Sequence, residues 1–307
     1  EGLAGNAVAG LLAMLLPVAL ALAVRPLAAD QPDKTAGRLP PVVARLVYPA
    51  PLAAAVMSAL IALGLAGTLS RGAWLAAGGA VLGLLAWRWP RAAPLIGGVG
   101  LLAALGAGAA LLLSRWPLIT ALLAGASVES QHDTALFRLV LWDRAVRMIA
   151  DHPFTGVGLN NFPLVQRQLY PIFPTQPEAL VIHAHNVYLQ AALDFGVPGL
   201  LALGAIGLAI ARQCAPGLRR IPSATPSPAA VVLAGYCASL LVYALHGLTD
   251  ALAVGSRPAV LAWLLGGLAL GSAPAAVERG RLPPAVATLV WATSALLLGT
   301  ALMFTFG

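Results

Sequence analysis

Five histidines, eighteen lysines and arginines and eleven carboxylates are spread thinly through this 307-residue chain. One polar cluster, His183-Ala-His185-Asn186, written HAHN, runs directly into an apolar stretch. An imidazole titrates near neutral pH, so His185 could act as a general base and take a proton from a hydroxyl. Two histidines one residue apart in an extended stretch turn their rings to one face, so a metal pair is a second reading. Against it, no Cys, Asp or Glu stands nearby at metal-ligand spacing. A capping or structural histidine is a third reading. Arg71, in SRGAW, and Arg138, in RLVLW, carry guanidiniums that suit an anionic phosphate through paired hydrogen bonds. Each could instead be an interfacial anchor touching lipid headgroups. His246 and Asp250, in HGLTDA, lie one helical turn apart; the carboxylate could orient the imidazole, bind a substrate hydroxyl, or close a helix end. Asn186 is a further candidate substrate contact. Asp194 stands in an apolar stretch before a Gly-Val-Pro-Gly break, where it could satisfy backbone donors. His132 and Asp133 could join a site only through folding.

The elements that must position these residues span a membrane. The chain is 60% hydrophobic and 9% charged, too little charge to cover a water-facing surface. Eight apolar stretches read as spans: 2–24, 48–69, 72–87, 92–114, 187–210, 229–249, 258–272 and 285–306. Pro17, Pro51 and Pro94 within them are tolerable where neighbouring helices satisfy freed carbonyls. The expectation is an all-α polytopic bundle with a partly helical outer segment. Its parts are N-terminal spans over 1–114, an outer segment over 115–186 and C-terminal spans over 187–307. Placing the start outside puts eleven basic residues in the inner loops and only Arg71 and Arg257 in the short outer ones. Positive charge belongs inside, so 115–186 is expected outside. The net charge of +7 reads as cationic loop ends beside anionic lipid. No basic run interleaved with aromatics points to nucleic acid. Cys214 and Cys237 imply no disulfide framework, and Cys214 falls on the reducing side. The opening at Glu1 reads as the start of an excised piece of a longer chain.

Within the outer segment, residues 134–150 read as an amphipathic helix. Arg138, Trp142, Ala145 and Ile149 share one face at 100° per residue. Asp143, Arg144 and Arg147 share the other, with Asp143 and Arg147 spaced to pair. Arg138 therefore sits on the apolar side, where an unpaired charge is costly. The DHPFTGVGLNNF that follows reads as a turn, its GVG being too weak for a phosphate loop.

SRGAW at 70–74, RLVLW at 138–142 with DHPFTGVGLNNF after it, HAHNVYLQ at 183–190 and DFGVPG at 194–199 together resemble the O-antigen ligase/polymerase superfamily of bacterial membrane glycosyltransferases. The family's histidine with a glycine eleven positions later matches His185 and Gly196; His183 has Asp194 at that spacing instead. The family's outer arginines match Arg71 and Arg138. Members usually hold about a dozen spans, so further spans are expected before Glu1. The eight-span count also leaves the C-terminus outside, where the family's usually lies in the cytoplasm.

The resemblance implies a metal-independent, inverting transfer needing no cofactor, at the periplasmic face of the inner membrane. The donor would be a glycan on undecaprenyl pyrophosphate. Arg71 and Arg138 would bind the pyrophosphate and His185 would activate the acceptor hydroxyl, with Asn186, His246 and Asp250 as further contacts. The acceptor would be lipid A–core for a ligase, an O-unit for a polymerase, or a protein hydroxyl for an O-oligosaccharyltransferase; the ligase is preferred. From other classes stand a bicarbonate-like transporter, which would need ionisable groups at the midplane and repeated halves, and a non-catalytic scaffold.

Overall fold

The computed structural model describes residues 3–24, 51–102, 105–106, 109, 134–172, 181–219, 226–250 and 259–273. Among them regular structure is helical throughout. The helices are α1 (Leu3–Val24), α2 (Pro51–Gly67), α3 (Arg71–Arg88), α4 (Ala93–Leu102), α5 (Thr134–Asp151), α6 (Phe162–Leu169), α7 (Val187–Leu218), α8 (Pro228–His246) and α9 (Ala259–Ser272). Ala and Leu dominate them, and both favour helix. A helix also satisfies its own backbone, which a segment in lipid must do.

Among the described residues, three helices are long and apolar enough to cross a membrane: α1 from Asn6, α7 and α8. Helices α2, α4 and α9 are apolar but shorter. The expected span at 72–87 is α3, an 18-residue helix with an arginine at each end; it is not among the three. The expected spans at 187–210 and 229–249 shift at their ends. Helix α7 continues to Leu218, and α8 stops at His246 because residues 247–249 turn. The expected span at 285–306, part of that at 92–114, and His132 and Asp133 lie outside the described residues.

Helix α1 packs on α2, α3 and α8, and α3 and α9 pack on α8. Ala73, Ala76, Ala77 and Ala80 form a buried stripe on α3 at helical spacing. Such small side chains let helices approach closely where lipid offers no hydrophobic driving force. Their partners in this core include Ala9, Ala13 and Met14 of α1 and Val231 and Val242 of α8. A second core joins the outer helices to α7. It contains Leu141, Ala145 and Met148 of α5, Phe162 of α6, Ala184 and Leu193. The buried face is turned from the expected one: of Arg138, Trp142, Ala145 and Ile149 only Ala145 is buried and the others are half-buried, while Asp143 and Arg147 pair on the exposed side at 3.0 and 3.2 Å.

The turn after α5 docks on a break in α7. Gly196 takes φ 71° inside that helix, which interrupts its backbone ladder. Residues Pro153 and Val157 supply the missing partners: Val197 N–H donates to Pro153 O at 2.7 Å, and Val157 N–H donates to Leu193 O at 2.6 Å. A Cβ on Gly196 would lie 2.6 Å from the Phe154 backbone, and one on Gly156 would lie 2.3 Å from Leu193 O. Glycine is required at both by contact as well as by φ. The GVG is therefore a docking turn.

Candidate active site

Four pieces of chain meet at one end of the bundle: the start of α3, the HAHN loop with the start of α7, the turn after α8, and α5.

Arg71 is the first residue of α3. The turn before it is closed by Trp74, whose indole N–H donates to Leu65 O at 2.7 Å, and by Thr68, whose hydroxyl donates to the same oxygen at 2.7 Å. Arg71 itself is exposed. The next residue presses on the turn after α8: a Cβ on Gly72 would stand 2.4 Å from Thr249 Oγ1 and 3.7 Å from His246 Nδ1. The backbone at Arg71 is thereby held beside residues 246–249.

The HAHN loop is fixed from three sides. Gln190 Oε1 accepts from Ala184 N–H at 2.9 Å, while its Nε2 donates to Asp194 Oδ1 at 2.8 Å. Trp142 of α5 donates its indole N–H to Ala184 O at 2.9 Å. Asn186 caps α7, its Oδ1 accepting from the N–H groups of Tyr188 and Leu189 at 2.9 and 3.0 Å. Its Nδ2 donates to Leu248 O at 3.2 Å, so a residue read as a substrate contact is engaged in holding the loop to the α8 turn. Asp194, expected to serve backbone donors at the break, is instead bonded to Gln190.

His185 adopts φ 49°, a left-handed conformation uncommon for a side-chain-bearing residue. The loop is thus not the extended stretch that the HxH spacing suggested, yet the two rings still meet, edge to face, with centroids 4.3 Å apart. His185 Nδ1 lies 3.1 Å from Asp250 Oδ1. The ring is partly open, its side chain 25% accessible, while that of Asp250 is 7% accessible. A carboxylate at Nδ1 holds the proton there and leaves Nε2 with its lone pair outward, the arrangement a base requires.

His183 is the more enclosed imidazole. Its Nδ1 accepts from His185 N–H at 3.3 Å. Burial first, then the neighbouring His185, lower its pKa to about 4, with Arg138 acting in the same direction and Asp250 opposing. It is neutral near pH 7. Arg138 itself is half-buried on α5, and its charge reaches His183.

Asp250 was expected to face His246, one turn earlier. It turns to His185 instead, and only its backbone N–H bonds to His246 O, at 2.9 Å. His246 is 2% exposed, and neither ring nitrogen has a hydrogen-bond partner among the described residues. The fold also overturns the argument that no carboxylate stands near the HxH pair. One ligand atom from each of His183, His185 and Asp250 lies within 4.8 Å of the others. The fold thus unites His185, Asp250 and His183, sets the start of α3 beside the α8 turn, and leaves Arg138 on α5, whose charge reaches His183. The missed anchor, Gln190, was signalled by its i,i+4 spacing to Asp194 in an apolar stretch.

An apolar cavity of about 440 Å³ opens between α7, α8 and α9. Tyr188, Leu203, Gly207, Ile210, Tyr243 and Trp263 are among its walls, so it reaches the first turn of α7.

A family model described as O-Antigen ligase matches residues 56–204, which include Arg71, Arg138, His185 and Gly196. No curated protein matches the chain.

Proposed function

We propose that this chain, whose residues 56–204 match the O-antigen ligase family model, is a membrane glycosyltransferase that moves a glycan from undecaprenyl pyrophosphate to an acceptor hydroxyl, lipid A–core, at the periplasmic face of the inner membrane. The observation that carries this reading is the 3.1 Å contact between His185 Nδ1 and Asp250 Oδ1, made across 65 residues of chain.

In this reading Asp250 holds the Nδ1 proton, and His185 Nε2 takes the proton of the acceptor hydroxyl. The acceptor oxygen bonds to the anomeric carbon as the bond from that carbon to the pyrophosphate oxygen breaks. Attack from the face opposite the leaving group inverts the centre. The leaving group gains negative charge, and Arg71 and Arg138 stabilise it with preorganised positive charge in place of a metal ion. His246, buried beside Gly72, backs the site from behind rather than meeting the glycan, and Asn186 positions the loop. The cavity beside Tyr188 supports a lipid-linked donor, because its apolar walls suit a prenyl chain. The outer segment 115–186 between the two sets of spans carries Arg138 and the base into one enclosure.

The test is glycan transfer from a polyprenyl pyrophosphate donor to lipid A–core by the purified full chain and its His185→Ala and Arg71→Ala variants. Loss of transfer in both supports the assignment. Turnover near that of the parent in both ends it. Transfer to an O-unit or to a protein hydroxyl instead would move the chain to the polymerase or O-oligosaccharyltransferase branch.

A further inference from the structure

We infer that His183, His185 and Asp250 form a binding site for a divalent transition-metal ion of the zinc class, and that its occupation switches the enzyme off. The inhibitory half rests on the transferase reading; the binding half does not.

The donor set is two imidazoles and a carboxylate, which zinc takes as three protein ligands with a water in the fourth position. Tetrahedral zinc with bonds near 2.0–2.1 Å places its ligand atoms about 3.3 Å apart. The His185–Asp250 pair already stands at 3.1 Å, and the whole set lies within 4.8 Å. A side-chain adjustment of about 1.5 Å closes the widest pair. The loop is anchored on both sides of His185 by the bonds at Ala184 and Asn186, so that ligand is held before any ion arrives. His185 is accessible enough to admit one. Arg138 is the cation nearby that opposes binding; the Asp250 carboxylate offsets it.

The consequence for the reaction is a change of tautomer. An ion on His185 Nδ1 takes the lone pair there, and the proton formerly on Nδ1 moves to Nε2. No proton is lost and none is gained, but Nε2 is now N–H and cannot accept one from a hydroxyl. Asp250 is at the same time drawn to the metal. His183 contributes a ligand without taking part in the transfer, so the two properties can be separated by substitution.

The experiment uses the purified full chain and its His183→Asn and His183→Gln variants, both of which keep an oxygen able to accept from His185 N–H. Each is dialysed to equilibrium against zinc chloride at pH 7, and bound zinc is measured by elemental analysis. Cobalt(II) replaces zinc in a parallel sample, whose visible spectrum reports tetrahedral nitrogen and oxygen coordination. Transfer is assayed with zinc and again after EDTA. The parent is expected to hold one zinc per chain and a tetrahedral cobalt spectrum. It should lose transfer by about 10²-fold or more at saturating zinc, recovering with EDTA. Both variants are expected to keep transfer in EDTA, to bind no zinc here and to be insensitive to it. Equal zinc in parent and variants overturns the site; zinc bound through His183 without inhibition overturns the switch. If no protein transfers glycan, the transferase reading fails while the dialysis and the cobalt spectrum still decide the site.

Discussion

At the scale of single residues, the site turns on which carboxylate faces which imidazole. HGLTDA suggested a His246–Asp250 pair because helical spacing was all that could be seen. The α8 helix ends at His246, and the turn beyond it swings Asp250 away toward His185. Asp250→Ala is therefore expected to lower transfer by about 10–10³-fold with the fold intact, because the ring loses the group that fixes its proton. His246→Ala should cost less. Arg138→Lys should keep the charge and still lower transfer, since an ammonium lacks the planar fork that grips a phosphate; turnover against donor concentration checks both. His183 adds an acid-sensitive element. Its folded pKa of about 4 lies below the ordinary value of 6.5. The unfolded chain therefore binds that proton first, and stability falls as pH drops from 6.5 toward 4 and is flat above. Discounted for its partial exposure, the loss is about 1–3 kcal/mol at pH 4. Thermal melts of the parent should show it, and melts of His183→Asn should show much less.

At the scale of elements, much was legible. The amphipathic helix of the outer segment was visible because its apolar residues recur at helical spacing, but its inward face was misjudged: Leu141, Ala145 and Met148 are buried, where Arg138, Trp142, Ala145 and Ile149 were expected. The boundaries of α7 and α8 were not: α7 runs on through ARQCAPGL after its apolar stretch has ended, and α8 stops at His246, short of the expected residue 249. Nor was the partnership of the 153–157 turn with α7 visible, since each glycine alone reads as an ordinary loop. Gly196→Ala should be severely destabilising, as its Cβ would enter the Phe154 backbone at 2.6 Å and its φ of 71° disfavours any side chain; yield of monodisperse protein measures this. Gly72→Ala has a softer neighbour, the Thr249 side chain at 2.4 Å. It should lower transfer by displacing the α3 start, and Thr249→Ala in the same chain should restore part of it. Additive losses in that double-mutant cycle would show the contact to be irrelevant.

At the scale of the whole molecule, composition settled the class before any element was assigned, because 9% charge cannot cover a water-facing surface. The number of spans was harder to read. Helix α3 has arginine at both ends, and α2, α4 and α9 are shorter over the described residues. The ends of the helices nevertheless agree on direction. Helices α3 and α7 start, and α8 finishes, at the end that holds the candidate site. Trp87 of α3 bonds to Leu218 O of α7 at 2.9 Å at the other end. In a Cys214→Ser, Cys237→Ser background, Arg71→Cys is expected to react with an impermeant thiol reagent added outside intact cells. Arg219→Cys should react only after lysis. The reverse pattern would place the base on the cytosolic side and remove its access to a periplasmic acceptor.

The break in α7 also dictates an order of construction. Val197 N–H and Leu193 O would sit without partners in hydrocarbon until Pro153 and Val157 reach them, and lipid offers no substitute. Those two residues leave the ribosome before α7 does. On the proposed topology, residues 153–157 must therefore be across the bilayer before α7 can seat, and a chain stalled in translocation would leave that helix unable to settle.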